Sequence, residues 1–351
     1  MNPLEQIIRE IIATQGAISL ATYMELALQH PTYGYYRVRE PLGRSGDFIT
    51  APEVSQMFGE MVGIWCVETW RSLGKPHPFA LVELGPGRGT MMQDILRATA
   101  HVSGFHAAKK LYLLDSDEAL RNQQNEKLGD NAPHYIDVIA QLPPIPTIIL
   151  ANEFFDALPV RQFQKTFRGW TERMVTLEED SLVLAPRPLE SGEEDLIPAM
   201  MRDAVPETIV ETSLKGQNIV RELAQHVQAQ TGAILIVDYG YAAPSGAATL
   251  QAVSSHAYTD IFERPGEIDL TAHVDFSALI DAASEARASV SSVIGQGEFL
   301  KNMGIEIRAD QLKKRATFPQ AATINADLHR LIDDEQMGAL FKVVEIRSTA
   351  A

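Results

Sequence analysis

Cysteine occurs once in the 351 residues, as Cys66. A single thiol excludes an internal disulfide framework and any multi-cysteine metal cluster, and it fits a reducing compartment. No histidine or cysteine spacing resembles a metal site. No apolar run reaches the ~18 residues of a membrane span. The start, Met1-Asn2-Pro3-Leu4-Glu5, lacks the basic stretch and apolar block of a secretory leader. Positive charge is scarce too: 30 Lys and Arg against 46 Asp and Glu leave a formal net charge of −16. A nucleic-acid binder needs a basic face to displace counterions, and the bulk composition offers none. The expectation is a cytoplasmic chain with no membrane span and no nucleic-acid partner. What is present is ordinary globular material, 45% hydrophobic and 22% charged. At ~150 residues per domain, that is two units or one large domain with insertions.

Leu4, Ile7, Ile8, Ile11 and Ile12 recur at helical spacing, with Gly16 as a stop. A short helix fits Thr22 to Ala27, followed by a turn-rich aromatic stretch, Tyr33-Gly34-Tyr35-Tyr36. Thr50 and Glu53 read as a capping box opening one long helix that buries Met57, Phe58, Met61 and Trp65. The Pro-rich break at Lys75-Pro76-His77-Pro78 ends this N-terminal helical unit, residues 1–76. From Phe79 onward, short apolar runs alternate with helical stretches, the pattern of an α/β fold with a mostly parallel sheet. Strands are expected at 79–84, 111–115, 147–152, 233–238, 288–293 and 341–346, with a weaker one at 135–138. Helices are expected at 90–99, 118–127, 218–228 and 276–286. Two insertions interrupt the alternation, at about 157–217 and 240–275. The first reads as short antiparallel strands between Val160 and Ala185, a hairpin able to offer a homodimer contact. Both follow strand carboxyl ends, where open α/β sheets bind ligands.

The sharpest chemical signal is Val82-Glu83-Leu84-Gly85-Pro86-Gly87-Arg88-Gly89-Thr90 at a strand-to-helix junction. Glycines there let the backbone turn sharply and approach a ligand closely, and the following helix presents unpaired N–H groups. Thr90 stands where a dinucleotide fingerprint needs its last glycine, which disfavours NAD. Glu83 repels phosphate but can engage an ammonium. Asp115, closing the next strand, can accept from two ribose hydroxyls. Ammonium, close-approach backbone and ribose acceptor together describe S-adenosyl-L-methionine (SAM).

These residues, with Tyr33-Gly34-Tyr35-Tyr36, the stretch Gly46-Asp47-Phe48-Ile49-Thr50-Ala51-Pro52-Glu53, the block Asn152-Glu153-Phe154-Phe155-Asp156-Ala157-Leu158-Pro159, Val237-Asp238-Tyr239-Gly240 and Asp269-Leu270-Thr271-Ala272-His273, resemble the MidA-type methyltransferase family over nearly the whole chain. Two stretches depart from it: Asp115-Ser116-Asp117 stands for Glu-x-Ser-Pro, and Ser254-Ser255 for partly basic residues. The resemblance implies a class I methyltransferase fold, Rossmann-like with a seven-stranded sheet. It places an N-terminal helical unit and cofactor lid at 1–76, the catalytic domain at 77–351, and insertions after the fourth and fifth sheet strands. It further implies methylation of protein arginine, with the large hydrogenase-like subunit of respiratory complex I as acceptor.

Arginine is a poor nucleophile, because its charge is delocalised and its pKa exceeds ~12. Its site should offer carboxylates that grip the guanidinium and aim one nitrogen. Glu153 and Asp156 are the expected guanidinium partners, with Phe154 or Phe155 as the apolar wall and His273 as a proton acceptor. Cofactor contacts are expected from Asp47, Glu83, Gly85, Gly87, Gly89, Asp115 and Asn152. Three alternatives stay open on the sequence: another protein acceptor, a small-molecule acceptor, and a non-catalytic assembly factor that keeps a SAM pocket.

Overall fold

The structure, a computed structural model, describes residues 2–38, 50–254 and 257–349. Its centre is a nine-stranded sheet. The main path runs Ser289–Val290, Phe341–Arg347, Gly232–Tyr241, Thr147–Asn152, Phe79–Leu84, Lys109–Leu114 and His134–Ile136, and two short strands, Val274–Asp275 and Ile294–Gly295, pair beside it. From Gly232–Tyr241 through His134–Ile136 every pairing is parallel, whereas Phe341–Arg347 runs antiparallel.

Period-two side-chain alternation supplies both layers. In Phe79–Leu84, Phe79 and Leu81 enter one apolar cluster, while Ala80, Val82 and Leu84 enter the other. The first face is covered by Gln56–Ser72 and Thr90–Thr99, which bury Phe58, Trp65, Met92 and Ile95. The second is covered by Leu214–Gln230 and Phe276–Glu285 through Val220, Leu223, Val227, Phe276 and Leu279. Each such buried side chain contributes on the order of 2 kcal/mol.

The first insertion folds into a five-stranded antiparallel sheet of Arg161–Thr166, Gly169–Glu178, Ser181–Pro188 and Ile209–Thr212, joined by Ile18–Ser19. The helices Pro3–Gln15 and Leu20–Gln29 pack on it. Leu4, Ile8, Tyr23 and Met24 share a cluster with Val160, Val175 and Leu182. Asn2 caps the first helix by accepting from Glu5 N at 2.8 Å, and Ser19 caps the second by accepting from Thr22 N at 3.0 Å. The helices before residue 76 pack in two different places. Residues 3–29 join the insertion sheet, while Gln56–Ser72 belongs to the core of the main sheet.

Two expected elements are broken. The chain turns extended at Ser55 (φ −158°, ψ 140°), so Ala51–Val54 and Gln56–Ser72 are separate helices. The capping box is not made, because Thr50 makes no side-chain cap bond and the Glu53 carboxylate points elsewhere. The strand expected over 288–293 is interrupted because Glu345 N turns to the Ser291 hydroxyl at 3.0 Å. The second insertion contains a three-stranded sheet, Gln251–Ser254, Ala257–Thr259 and Asp269–Thr271. No helix among the described residues is long and apolar enough to cross a membrane.

Candidate active site

Gly85, Gly87 and Gly89 all take positive φ, at 58°, 49° and 73°. A Cβ on Gly85 would stand 3.0 Å from the Phe154 ring, so the turn needs glycine both for its dihedral and for its neighbour. No side chain caps the helix Thr90–Thr99 that follows, which leaves its first N–H groups for a ligand. The turn lines a cleft of about 70 Å³ together with Glu53, Glu83, Asn152 and Glu153. Glu83 is 3% exposed, and its Oε2 has no hydrogen-bond partner among the described residues. Burial, and then the nearby Asp115 charge, push its pKa up to about 8.

Asp115 follows the end of Lys109–Leu114. Its Oδ1 accepts from Asp117 N at 2.9 Å and its Oδ2 from Gln124 Nε2 at 2.7 Å. The same Gln124 amide donates to Gly87 O at 2.6 Å. Gln124 is fully buried and ties the glycine turn to the ribose-binding candidate. It escaped sequence reasoning because nothing in the amphipathic pattern of Glu118–Leu128 distinguishes it from a surface glutamine. Glu53 is the second residue missed. Its carboxylate accepts from Thr90 Oγ1 at 2.8 Å and Arg88 Nη2 at 3.2 Å, docking Ala51–Val54 onto the glycine turn. Although burial opposes it, these donors and Lys127 leave its pKa lowered.

On the other side of the cleft, Thr147–Asn152 ends in a tight turn. Glu153 sits at φ +49°, and its Oε1 accepts from Ala51 N at 3.0 Å and from Asn152 Nδ2 at 3.2 Å. The turn is held by Asp238, whose Oδ2 accepts from the N–H groups of Phe154, Phe155 and Asp156 at 3.1, 2.9 and 3.3 Å. Its Oδ1 accepts from Tyr239 N at 3.0 Å. Burial and the charges of Asp156 and Glu153 push the Asp238 pKa up, against these donors. Burial likewise raises Glu153 to about 7 and Asp156 to about 6. Asp156 is 7% exposed. Behind it stand the hydroxyls of Tyr239 and of Tyr36. The Tyr36 pKa is raised first by burial and then by Asp269 and Asp156.

The structure thus brings Glu83, Gly85, Gly87, Asn152 and Glu153 to one cleft, with Asp115 tied to it through Gln124 and Asp156 three residues beyond Glu153. Phe154 contacts the glycine turn, while Phe155 is core. His273 is not in the cleft. It lines a separate cavity of about 560 Å³ beyond the turn, with its ring edge-on to Tyr239 at 5.3 Å, and burial lowers its pKa. Asp47 lies outside the described residues.

An adenosyl amino acid matches this chemistry. An unpartnered buried carboxyl suits an ammonium, free helix N–H groups suit a carboxylate, and the Asp115 carboxylate suits a pair of ribose hydroxyls. The small cleft admits only the amino-acid end, since whole-ligand pockets start near ~300 Å³. A family model described as "Putative S-adenosyl-L-methionine-dependent methyltransferase" matches residues 61–294. The mitochondrial protein arginine methyltransferase NDUFAF7 of Danio rerio is 34% identical over 99% of this chain and 87% of its own. That of Homo sapiens is 34% identical over 97% and 83%. A crystal structure of a Burkholderia thailandensis protein bound to S-adenosyl-homocysteine superposes with a TM-score of 0.85 at 29% identity, covering 98% of this chain and 91% of that one. The chain belongs to the family of S-adenosyl-L-methionine-dependent methyltransferases.

Proposed function

We propose that this protein transfers a methyl group from SAM to an arginine of a protein acceptor, as the names of its relatives state for them. The fold is then the class I arrangement, its seven-strand path carrying the two insertions. The observation that carries the reading is that the buried Glu83 carboxyl and the Glu153 carboxyl line one narrow cleft.

When bound, SAM supplies a methyl group already activated on a sulfonium, so the protein has mainly to align and to manage charge. Glu83 and the first N–H groups of Thr90–Thr99 hold the amino-acid end, the glycine turn lies along it, and Asp115 takes the ribose, with Asn152 completing the cofactor side. Glu153 and Asp156 grip the guanidinium and fix one nitrogen toward the cleft. Methylation leaves one proton to be lost from nitrogen. Glu153 and Asp156, with pKa values near 7 and 6, are matched to take it at neutral pH, and His273, which lines the separate cavity, takes no part in this step.

The acceptor in this reading is the large hydrogenase-like subunit of complex I, and the compartment is cytoplasmic. A homodimer contact through the antiparallel insertion belongs to the same reading. Pro186 and Pro188 remove N–H donors from its outer strand, so such a contact is side-chain packing and not strand addition. Labelled methyl transfer to the purified acceptor, with mass spectrometry of its arginines, tests the function. Glu153→Gln should cut transfer by about 100-fold or more while S-adenosylhomocysteine affinity stays within about threefold. Label on arginine at the wild-type rate in that variant would refute the catalytic assignment.

A further inference from the structure

The cavity that His273 lines lies apart from the cofactor cleft, and the reaction above makes no use of it. Its volume, about 560 Å³, is that of a ligand site. Both insertions build it. The strand Ile209–Thr212 and the turns at residues 195–200 come from the first, and residues 272–275 come from the second. The helices Leu214–Gln230 and Phe276–Glu285 supply the remaining wall. Phe155 lines it as well, two residues along the turn from Glu153, which lines the cleft. A chain seated in the cavity therefore lies beside the turn assigned to the acceptor arginine.

The lining says what chemistry fits. Phe155, Val160, Leu196 and Leu279 offer apolar surface, and Met200, 70% exposed, extends it to solvent. Five carboxylates, Asp195, Glu211, Asp275, Asp281 and Glu285, line the cavity against one guanidinium, Arg221. Arg221 already pairs with Glu285 at 2.8 Å, and Asp195 pairs with Arg202 at 3.1 Å. The other three form no ion pair among the described residues. Glu211, 5% exposed, accepts from Gln162 Nε2 and from the N–H groups of Thr249 and Leu250. Asp275 caps the helix Phe276–Glu285, and Asp281 is exposed on that helix with no hydrogen-bond partner among the described residues. Burial lowers the His273 pKa, so its ring adds no compensating charge at neutral pH. Such an excess of negative charge repels nucleotides, phosphates and other anions and draws cations. The apolar surface selects, among cations, those on a hydrocarbon stem, as lysine and arginine side chains are.

We propose that this cavity is an acceptor-docking site, which takes a basic residue and an apolar neighbour from the segment of the protein acceptor that flanks the arginine to be methylated. Asp281 is its open ion-pair partner, and the two insertions then serve the choice of acceptor. The assignment deepens the arginine reading above and rests on it.

The test uses the full chain with S-adenosylhomocysteine and two synthetic peptides. Each has one central arginine and flanking leucines, and one carries lysines where its twin carries glutamines. Wild type should bind the lysine peptide about fivefold more tightly, by a margin that shrinks as salt is raised. Asp281→Lys should abolish that preference, and Asp281→Asn should reduce it. Glu179→Lys, a reversal at an exposed turn outside the cavity, should keep it. All three variants should hold S-adenosylhomocysteine affinity within about twofold, and Asp281→Lys should raise the KM of the lysine peptide about fivefold with little change in kcat. Twins bound alike by wild type overturn the assignment, as does a preference that both Asp281 variants keep or that Glu179→Lys also loses. Self-association of wild type that Asp281→Lys abolishes would give the cavity to a second copy of the chain and overturn it too. Failure of the broader reading looks different: the preference in binding would stand while no label reached arginine.

Discussion

If Glu83 receives the cofactor's ammonium, as proposed, binding becomes a proton-linked event of calculable size. With its pKa near 8 in the free protein, roughly one molecule in ten is ionised at pH 7 and one in a hundred at pH 6. A ligand ammonium seated on this group selects the ionised form. Binding at pH 7 should therefore release close to one proton, and affinity for S-adenosylhomocysteine should climb about tenfold per unit from pH 6 and level off above 8. Calorimetry at pH 6, 7 and 8, in two buffers of different ionisation enthalpy, measures affinity and proton count together. Glu83→Gln cannot ionise, so its affinity should be flat over that range, with no proton release through this group. Stability runs in the opposite sense. The fold favours the neutral carboxyl, so this contribution is full below the unfolded value of 4.5 and is lost as pH rises through about 8. That loss amounts to on the order of 5 kcal/mol in the ligand-free protein, and the glutamine variant should lack it. Wild-type affinity that is constant from pH 6 to 8, or proton uptake on binding, would refute the role given to Glu83.

Two further variants separate the cofactor end from the insertion. Gln124→Leu removes the amide that joins Gly87 O to Asp115 Oδ2. It should weaken S-adenosylhomocysteine binding about tenfold, the worth of roughly one well-placed hydrogen bond, and titration showing wild-type affinity would dismiss the tie. Glu172, fully buried, receives Arg161 Nε at 2.7 Å and Nη2 at 2.6 Å and also pairs with Arg187. Glu172→Ala leaves two guanidiniums with Glu193 as their remaining shared partner and should destabilise the chain by about 3–5 kcal/mol in chemical denaturation. Cofactor-product affinity should stay unchanged.

The parallel core was readable because its strands are continuous apolar runs bounded by turn residues. Phe79–Leu84, Thr147–Asn152 and the helix Thr90–Thr99 begin and end where periodicity placed them. What local pattern could not reveal were facts created by long-range contact. Thr50 and Glu53 have capping-box spacing, yet the Glu53 carboxylate gains two donors 35 and 37 residues away and leaves the cap. Gln124 looks like any helix-surface amide until Gly87 and Asp115 close over it. Asp238 reads as a strand-end acid, and only the fold shows three N–H groups from residues 154–156 converging on one of its oxygens. The packing partner of the first two helices was hidden for a related reason. Their apolar stripe was plain, but its partner, the insertion sheet, lies more than 130 residues downstream.

Register explains why cofactor and acceptor groups meet. In the parallel sheet Leu84 pairs with Ala151, and Ala151 and Asn152 pair with Ile236 and Val237. The carboxyl ends of Phe79–Leu84, Thr147–Asn152 and Gly232–Tyr241 therefore fall side by side. Glu83, the Asn152–Glu153 pair and the Asp238–Tyr239 pair stand in that order across the edge, which in the proposed reaction runs from the cofactor side to the acceptor side. Placing Glu153 in the middle requires a left-handed backbone, worth about 1–2 kcal/mol of strain for a side chain of this kind. The four N–H bonds gathered by Asp238 offset that strain and lock the turn. In the proposed reaction the turn that would hold a guanidinium is thus fixed in the ligand-free chain by a residue that need not touch it, and Asp238 would act on methyl transfer only through the turn it organises.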